Sequence, residues 1–244
     1  SRVLEHNGFT VGIISQPDWK DCSAFKEYGR PRLGFFVSSG NIDSMVAHYS
    51  VAKRKRNYDY YSPGGKFGLR PDRATDVYCR LIREAYPDTA IIIGGLEASL
   101  RRFAHYDYWD DKVLESVLVS SGADILTYGM GENIIRKIAS LLDKGVPISK
   151  IRDVRGTVWL GEKGDKIHFD TAGEWDFEKL KSDKEYYAKA FSVQYKNQDS
   201  AYGKALVEYY GDKMLVQNPP MPPLEREELD RVYALPFMRN YHPS

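Results

Sequence analysis

Residues 90–93, Ala-Ile-Ile-Ile, form an apolar run that stops at Gly94-Gly95 and gives way at once to charged, aromatic and histidine residues. A short β-branched run bounded in this way reads as a buried parallel strand at its carboxyl edge. Glycine lets the chain turn with positive φ and lets another group approach the backbone closely. Three similar runs, at 10–15, 33–37 and 125–128, also end in polar or glycine turns and are predicted strands. Helical patterns lie between the last three. Residues 71–86 place Ala74, Val77, Tyr78, Leu81, Ile82 and Ala85 on one face, with Pro71 suited to the first turn. Residues 112–121 and 133–144 repeat the pattern, the second ending at Gly145. Strands alternating with helices imply an α/β fold, a doubly wound, flavodoxin-like, mostly parallel sheet over residues 1–150.

Residues 151–244 read as an α+β extension. Residues 157–160 and 166–169 flank a Gly161–Asp165 loop and predict a hairpin. Residues 175–191 predict a helix in their second half, residues 200–210 a further helix, 214–217 a short strand and 225–232 a last helix. The Asn-Pro-Pro-Met-Pro-Pro run at 218–223 breaks regular structure, since each proline fixes φ and removes a donor.

In an open α/β sheet, ligands bind beyond the carboxyl ends of the strands. The turns there carry the candidate site residues. Ser38, Gly40 and Asn41 lie in the first; Asn41 or Asp43 is equally suited to cap the next helix. Gly94, Gly95, Glu97, Ser99, Arg101 and Arg102 lie in the second, followed by His105, Tyr106 and Asp107. Gly129, Gly131 and Glu132 lie in the third, where Glu132 suits a helix start. The Gln16–Trp19 turn, QPDW, adds a fourth. Paired arginines suit phosphate or carboxylate recognition, and a histidine exchanges protons near neutral pH. The same block also reads as a lid or interface in which the arginines pair with Asp107, Asp110 and Asp111.

These blocks carry a resemblance. Residues 37–45 (VSSGNIDSM), 70–74 (RPDRA), 94–102 (GGLEASLRR) with 105–109 (HYDYW), 128–132 (YGMGE), and 217–220 (QNPP) running to 235–239 (LPFMR) and 241–243 (YHP) resemble, in order, the N-terminal domain of the YgiQ-type (UPF0313) radical-SAM proteins, a family of uncharacterised function. The resemblance implies a longer iron–sulfur enzyme that cleaves S-adenosylmethionine on a [4Fe-4S] cluster held by three cysteines at CxxxCxxC spacing. This chain has only Cys22 and Cys79, outside any such motif, and the family's motif lies just past the point where the chain stops. The chain is therefore expected to be an N-terminal piece, noncatalytic and binding no cofactor by itself, whose partner is its own C-terminal radical-SAM barrel and whose substrate is unknown. Residues 1–8 read as the last turns of a helix with a glycine stop.

The Gly94-Gly95 turn and the 128–132 turn are also similar to those of cobalamin-binding domains fused to other radical-SAM enzymes, where they floor a corrin. The Asp-x-His-x-x-Gly motif of such domains is absent. Tight strand-to-helix turns explain the glycines without a ligand, and that reading is favoured over cobalamin.

Charge is balanced, 35 Lys plus Arg against 34 Asp plus Glu, which disfavours a general grip on nucleic acid. One basic run, Lys53-Arg-Lys-Arg56, does adjoin Tyr58, Tyr60 and Tyr61, as single-stranded nucleic acid binding would use. A solvated loop is the favoured reading of it, so nucleic acid is a partner the chain permits without pointing to it. No run of eighteen apolar residues spans a membrane, and two unspaced cysteines suit a reducing cytoplasm. The five histidines (6, 48, 105, 168, 242) show no metal-ligand spacing, and no Gly-x-Ser-x-Gly elbow suggests a hydrolase.

Overall fold

The computed structural model describes residues 1–240, so the end of the last matching block, 241–243, lies outside the described residues. The chain opens with α1 (Arg2–His6), closed by Gly8 at φ 85°. β1 (Phe35–Val37) follows, then α2 (Ser44–His48) and α3 (Ala74–Ala85). The third helix begins later than Pro71 suggests because Arg73, at φ 50°, takes a left-handed conformation just before it. β2 (Ile91–Ile93) leads directly into α4 (Gly95–Leu100). β3 (His105–Asp107), β4 (Lys112–Leu114), α5 (Val117–Ser120), β5 (Ile125–Thr127) and α6 (Glu132–Asp143) complete the first half.

β1, β2 and β5 are neighbours and parallel. Period-two alternation decides which face each isoleucine serves. Ile91 and Ile93 point to the layer of α3 and α5, packing with Tyr78, Leu81, Ile82 and Leu118. Ile92 points the other way, to Ile134 and Ile138 of α6. Helices thus cover both faces, which is why these strands carry no polar alternation.

The second half adds β6 (Thr157–Glu162), β7 (Thr171–Asp176), α7 (Phe177–Ser182), α8 (Lys184–Lys196), β8 (Ala205–Tyr210), β9 (Lys213–Gln217) and α9 (Arg226–Tyr233). Its strands extend the same sheet, in the order β1-β2-β5-β6-β9-β8-β7. β6, β9 and β8 are joined antiparallel to β5 and to each other, and β7 returns parallel to β8. The fold is α/β, built on one mixed seven-stranded sheet.

Four local expectations change. Residues 10–15 form no strand: no ladder pairs them among the described residues, and β1 is the sheet edge. Gly12 lies there under the Tyr28 ring, so close that a Cβ would meet it at 2.8 Å. Residues 112–121 are not one helix. Lys112–Leu114 pairs with His105–Asp107 around a turn with Asp111 at φ 52°, and Ser116 caps a separate short α5 by accepting the Leu118 amide. The hairpin across 161–165 is absent, because β6 takes β9 as its partner. The helix expected over 200–210 is instead strand β8, where Leu206 and Val207 fill the core and a two-residue Gly211-Asp212 loop turns into β9. The helix expected in the second half of 175–191 is α8, capped by Asp183, and a further helix, α7, capped by Asp176, occupies the first half.

Candidate functional site

Parallel pairing puts the ends of β1, β2 and β5 on one edge of the sheet, so the turns at 38–44, 94–95 and 128–131 share a rim. β9 runs in the same direction as β5 and ends there too; the Tyr128 hydroxyl donates to the Asn218 carbonyl at 2.5 Å. Gly95 needs φ 81°, and a Cβ on it would meet Ser38 Cβ at 3.1 Å. Gly94 is extended, yet a Cβ there would lie 2.5 Å from Thr127 Oγ1. Both glycines are therefore required for α4 to spring directly from β2 beside its neighbours. Gly40 and Gly129 also sit at positive φ, while nothing lies within 4 Å of a Cβ on Gly129 or Gly131.

Behind the rim, the charged candidates are engaged with the protein. Glu97, 1 % exposed, accepts the backbone amides of Ser44 at 2.8 Å and Thr75 at 2.9 Å. One carboxylate thereby completes the first turns of α2 and α3. Asp43 caps α2, accepting from Met45 and Val46, and takes the Arg101 guanidinium as ion-pair partner. Asn41 is exposed and leaves that cap to Asp43. Ser38 Oγ accepts the Gly40 amide at 3.1 Å. Arg102 donates to Gln217 Oε1 and to the Ser99 carbonyl, each at 2.6 Å, and lies 5.1 Å from the Tyr128 ring centre. It ties α4 to β9. Burial pushes the pKa of both arginines down.

His105, Tyr106 and Asp107 stand on β3, in the two-stranded hairpin. Burial first, then the positive charge of Arg101, push the His105 pKa down. Its Nδ1 faces the Phe103 carbonyl at 3.1 Å and its Nε2 is buried, with no hydrogen-bond partner among the described residues. Burial also works against the Asp107 carboxylate, but the amides of Asp110 and Trp109 and the Arg73 guanidinium outweigh it and hold its pKa below the usual value. Tyr106 donates to Asp111 at 2.5 Å, which raises its pKa. The interface reading of this block anticipated pairing with Asp107, Asp110 and Asp111. The arginine that pairs with the first two is Arg73, outside the block.

Glu132 opens α6 with Oε2 buried and without a partner among the described residues. Gln16, from the proposed fourth turn, reaches Ser62 at 2.6 Å. Beside the exposed Ser38 and Asn41, the rim presents apolar side chains to solvent: Val46 on α2 (51 % exposed), Leu96 and Leu100 one turn apart on α4 (47 % and 60 %) and Met130 after β5 (45 %).

Residues that pattern reading passed over matter as much. Arg70 and Asp59 form a buried ion pair behind Ser39, whose carbonyl accepts from Arg70 at 3.1 Å. His48 is buried with Nδ1 2.7 Å from Asp72. Glu208 is fully buried in β8. A charged residue within an aliphatic strand such as Ala-Leu-Val-Glu-Tyr-Tyr was the one available signal for it.

The residues present do not fit an iron–sulfur cluster: two cysteines cannot supply three thiolates, both are buried, and no group of three or more His, Cys, Asp or Glu that could hold a metal occurs among the described residues. No helix among the described residues is long and apolar enough to cross a membrane.

Comparison with known proteins places the chain in a family. A UPF0313 protein of Clostridium botulinum (strain ATCC 19397 / Type A) is 55 % identical over 242 residues, covering 99 % of this chain and 37 % of its own length. One from Clostridium perfringens (strain ATCC 13124) is 54 % identical over 243 residues, covering all of this chain and 37 % of its own length. The chain thus spans little more than a third of the relatives it matches. No solved structure matches it significantly. The family profile "Radical SAM N-terminal" matches residues 1–244, and the chain belongs to that family.

Proposed function

We propose that this is the accessory domain of a radical-SAM enzyme, and that the sheet rim caps the catalytic barrel formed by a C-terminal portion of the protein. Membership of the family implies a [4Fe-4S] cluster and S-adenosylmethionine in that portion, supplying the radical chemistry; the present residues position and cover. One observation carries this reading. Glu97, Asp43, Arg101 and Arg102 are satisfied internally, whereas Val46, Leu96, Leu100 and Met130 are exposed around bare glycine backbone. Clustered exposed aliphatics mark a surface that packs on another, and each such side chain contributes about 1.5–3 kcal/mol when fully buried. Contribution to substrate or second-cofactor binding then falls to the edge of the same surface, near His105 and Tyr106.

The test is isothermal titration of the separately expressed C-terminal portion into this chain, with and without Leu96→Asp and Leu100→Asp. Saturable binding that the double variant abolishes supports the cap. Heat unchanged by the variant, or no binding, contradicts it. Hydroxocobalamin added to the same chain separates the alternative: a stoichiometric, coloured complex makes the glycine turns a corrin floor instead.

A further inference from the structure

The face beside the rim has a different chemistry. Residues 49–56 fold back on themselves: Tyr49 bridges Lys55, the Ser50 amide donates to the Arg54 carbonyl at 2.9 Å, and Lys53 turns the corner at φ 57°. This loop is fastened to the β3–β4 hairpin. Tyr108 donates to the Val51 carbonyl at 2.7 Å, Lys53 donates to the Trp109 carbonyl at 3.2 Å, and the Tyr49 and Trp109 rings lie 5.1 Å apart.

The tyrosine segment that follows is held from below. Asp59 accepts from Arg70 Nε at 3.2 Å and Nη2 at 3.0 Å, from the Tyr61 amide at 2.9 Å and from Ser62 Oγ at 2.8 Å. Tyr58 rests on Gly65, where a Cβ would overlap its ring, and meets Tyr60 edge-on at 4.7 Å. Burying an ion pair carries a large desolvation cost. Here it serves a segment whose own side chains face water: Tyr60 is 83 % exposed, and Tyr58 and Tyr61 are exposed beside it. A loop that only connects elements has no use for such an anchor. A loop that must present its rings in a fixed arrangement does, because preorganisation removes the ordering cost from binding.

Lys53, Arg54, Lys55 and Arg56 are interleaved with these rings, Lys53 4.8 Å from the Tyr108 centre and Lys55 4.8 Å from the Phe67 centre. Most nearby carboxylates are engaged: Asp59 with Arg70, Asp107 with Arg73, Asp110 with Arg73 and Lys112, while Asp72 and Asp111 accept from the Tyr49 and Tyr106 hydroxyls and keep their charge. Four cations, Lys53 to Arg56, thus outnumber the two carboxylates no arginine or lysine pairs, Asp72 and Asp111, which leaves net positive charge among flat rings on one rigid face. The balanced net charge of the whole chain does not oppose this, since the field at a surface is set locally. We propose that residues 53–61, together with Tyr106 and Tyr108, form a binding platform for single-stranded nucleic acid. Cations meet the phosphates, and the rings accept unpaired bases. An anionic membrane is the poorer match, because an interfacial element inserts clustered exposed aliphatic or Trp side chains, and here Val51 stands exposed beside a half-buried Trp109 stacked on Tyr49. The platform is distinct from the aliphatic rim and does not depend on the capping proposal.

The test uses the intact protein and a fluorescein-labelled, mixed-sequence RNA of about 12 nucleotides, near the upper range of single-strand site sizes, read by anisotropy across a salt series. The single strand is expected to bind more tightly than its duplex. Tyr60→Ala should weaken it roughly tenfold by removing one stacking ring. Arg54→Ala should lower the slope of log affinity against log salt by about 0.7. Both side chains are exposed, so thermal melting should not change, and Lys163→Ala, in the loop after β6, serves as the control. The proposal is overturned by absence of binding at low salt, by equal loss in the Lys163 variant, by preference for the duplex, or by retention on phosphatidylserine vesicles with no retention of the oligonucleotide.

Discussion

The fully buried Glu208 carboxylate accepts a hydrogen bond from the Tyr210 hydroxyl at 2.8 Å, two residues along the same strand. It also accepts the Ala104 amide at 2.9 Å, and Tyr210 in turn accepts the Ser116 amide at 3.0 Å. The pair therefore fastens both ends of the β3–β4 hairpin to β8. Glu208 Oε1 has no hydrogen-bond partner among the described residues. Burial pushes the carboxyl from 4.5 up to about 7, against the two hydrogen bonds that oppose it.

A raised folded-state pKa gives a definite sign. The folded chain holds a proton that the unfolded chain has released between pH 4.5 and about 7, so the contribution to stability is complete below the lower value and lost through the upper one. Glu208→Gln should match the parent near pH 4 and exceed it by about 3 kcal/mol at pH 8, the full value of that shift. Urea unfolding at the two pH values reads it. Equal stabilities at pH 8 would show that the carboxylate is solvated in the native state.

Glu97 is expected to be a structural acceptor whose loss the fold does not absorb. Glu97→Ala leaves the Ser44 and Thr75 amides buried without an acceptor. The expected cost is about 3 kcal/mol, with Glu97→Gln at roughly 2 kcal/mol because its one carbonyl oxygen keeps one amide while its NH2 group leaves the other without an acceptor. Chemical denaturation of the two variants tests the ordering.

Arg102 should be a stability residue before it is a binding one. Arg102→Ala removes the links to Gln217 and the Ser99 carbonyl and the stack on Tyr128, for about 2 kcal/mol. Arg102→Lys should recover part of that and not all, since an ammonium cannot bond Gln217 and the carbonyl as a planar fork does. Thermal melting distinguishes the three proteins. A phosphate-recognition role alone would leave melting unchanged in each.

The α/β class and the shared rim were legible because β2 and β5 are apolar on both faces and end in glycine turns. Such strands have few alternatives. The partners of β6 and β8 were not legible, since pairing between residues 157 and 217 is set by tertiary packing and leaves no local mark. Residues 112–114 fitted a helical face as well as a strand; the hairpin was decided by the turn at Asp111 and by the Asp107 carboxylate collecting amides from that turn. At the rim, sequence pointed to Arg101, Arg102 and Glu97 as conspicuous polar groups. Their partners, Asp43, Gln217 and the helix starts at Ser44 and Thr75, lie far away along the chain. Only the fold shows that these charges are already satisfied and that the aliphatic Leu96 and Leu100 face outward.

The central claim is that the rim is covered in the longer protein. Leu100→Cys places a thiol on it, while the native Cys22 and Cys79 are buried and burial pushes the Cys79 thiol up to about 12, so neither competes for a maleimide. Labelling of the 95–102 peptide is then followed by mass spectrometry in the 244-residue chain and in the full-length protein, with Phe191→Cys on exposed α8 as reference. The account predicts rapid labelling of Leu100→Cys in the short chain and strong protection in the full-length protein, with the reference labelled equally in both. Equal labelling at position 100 in both proteins would contradict it.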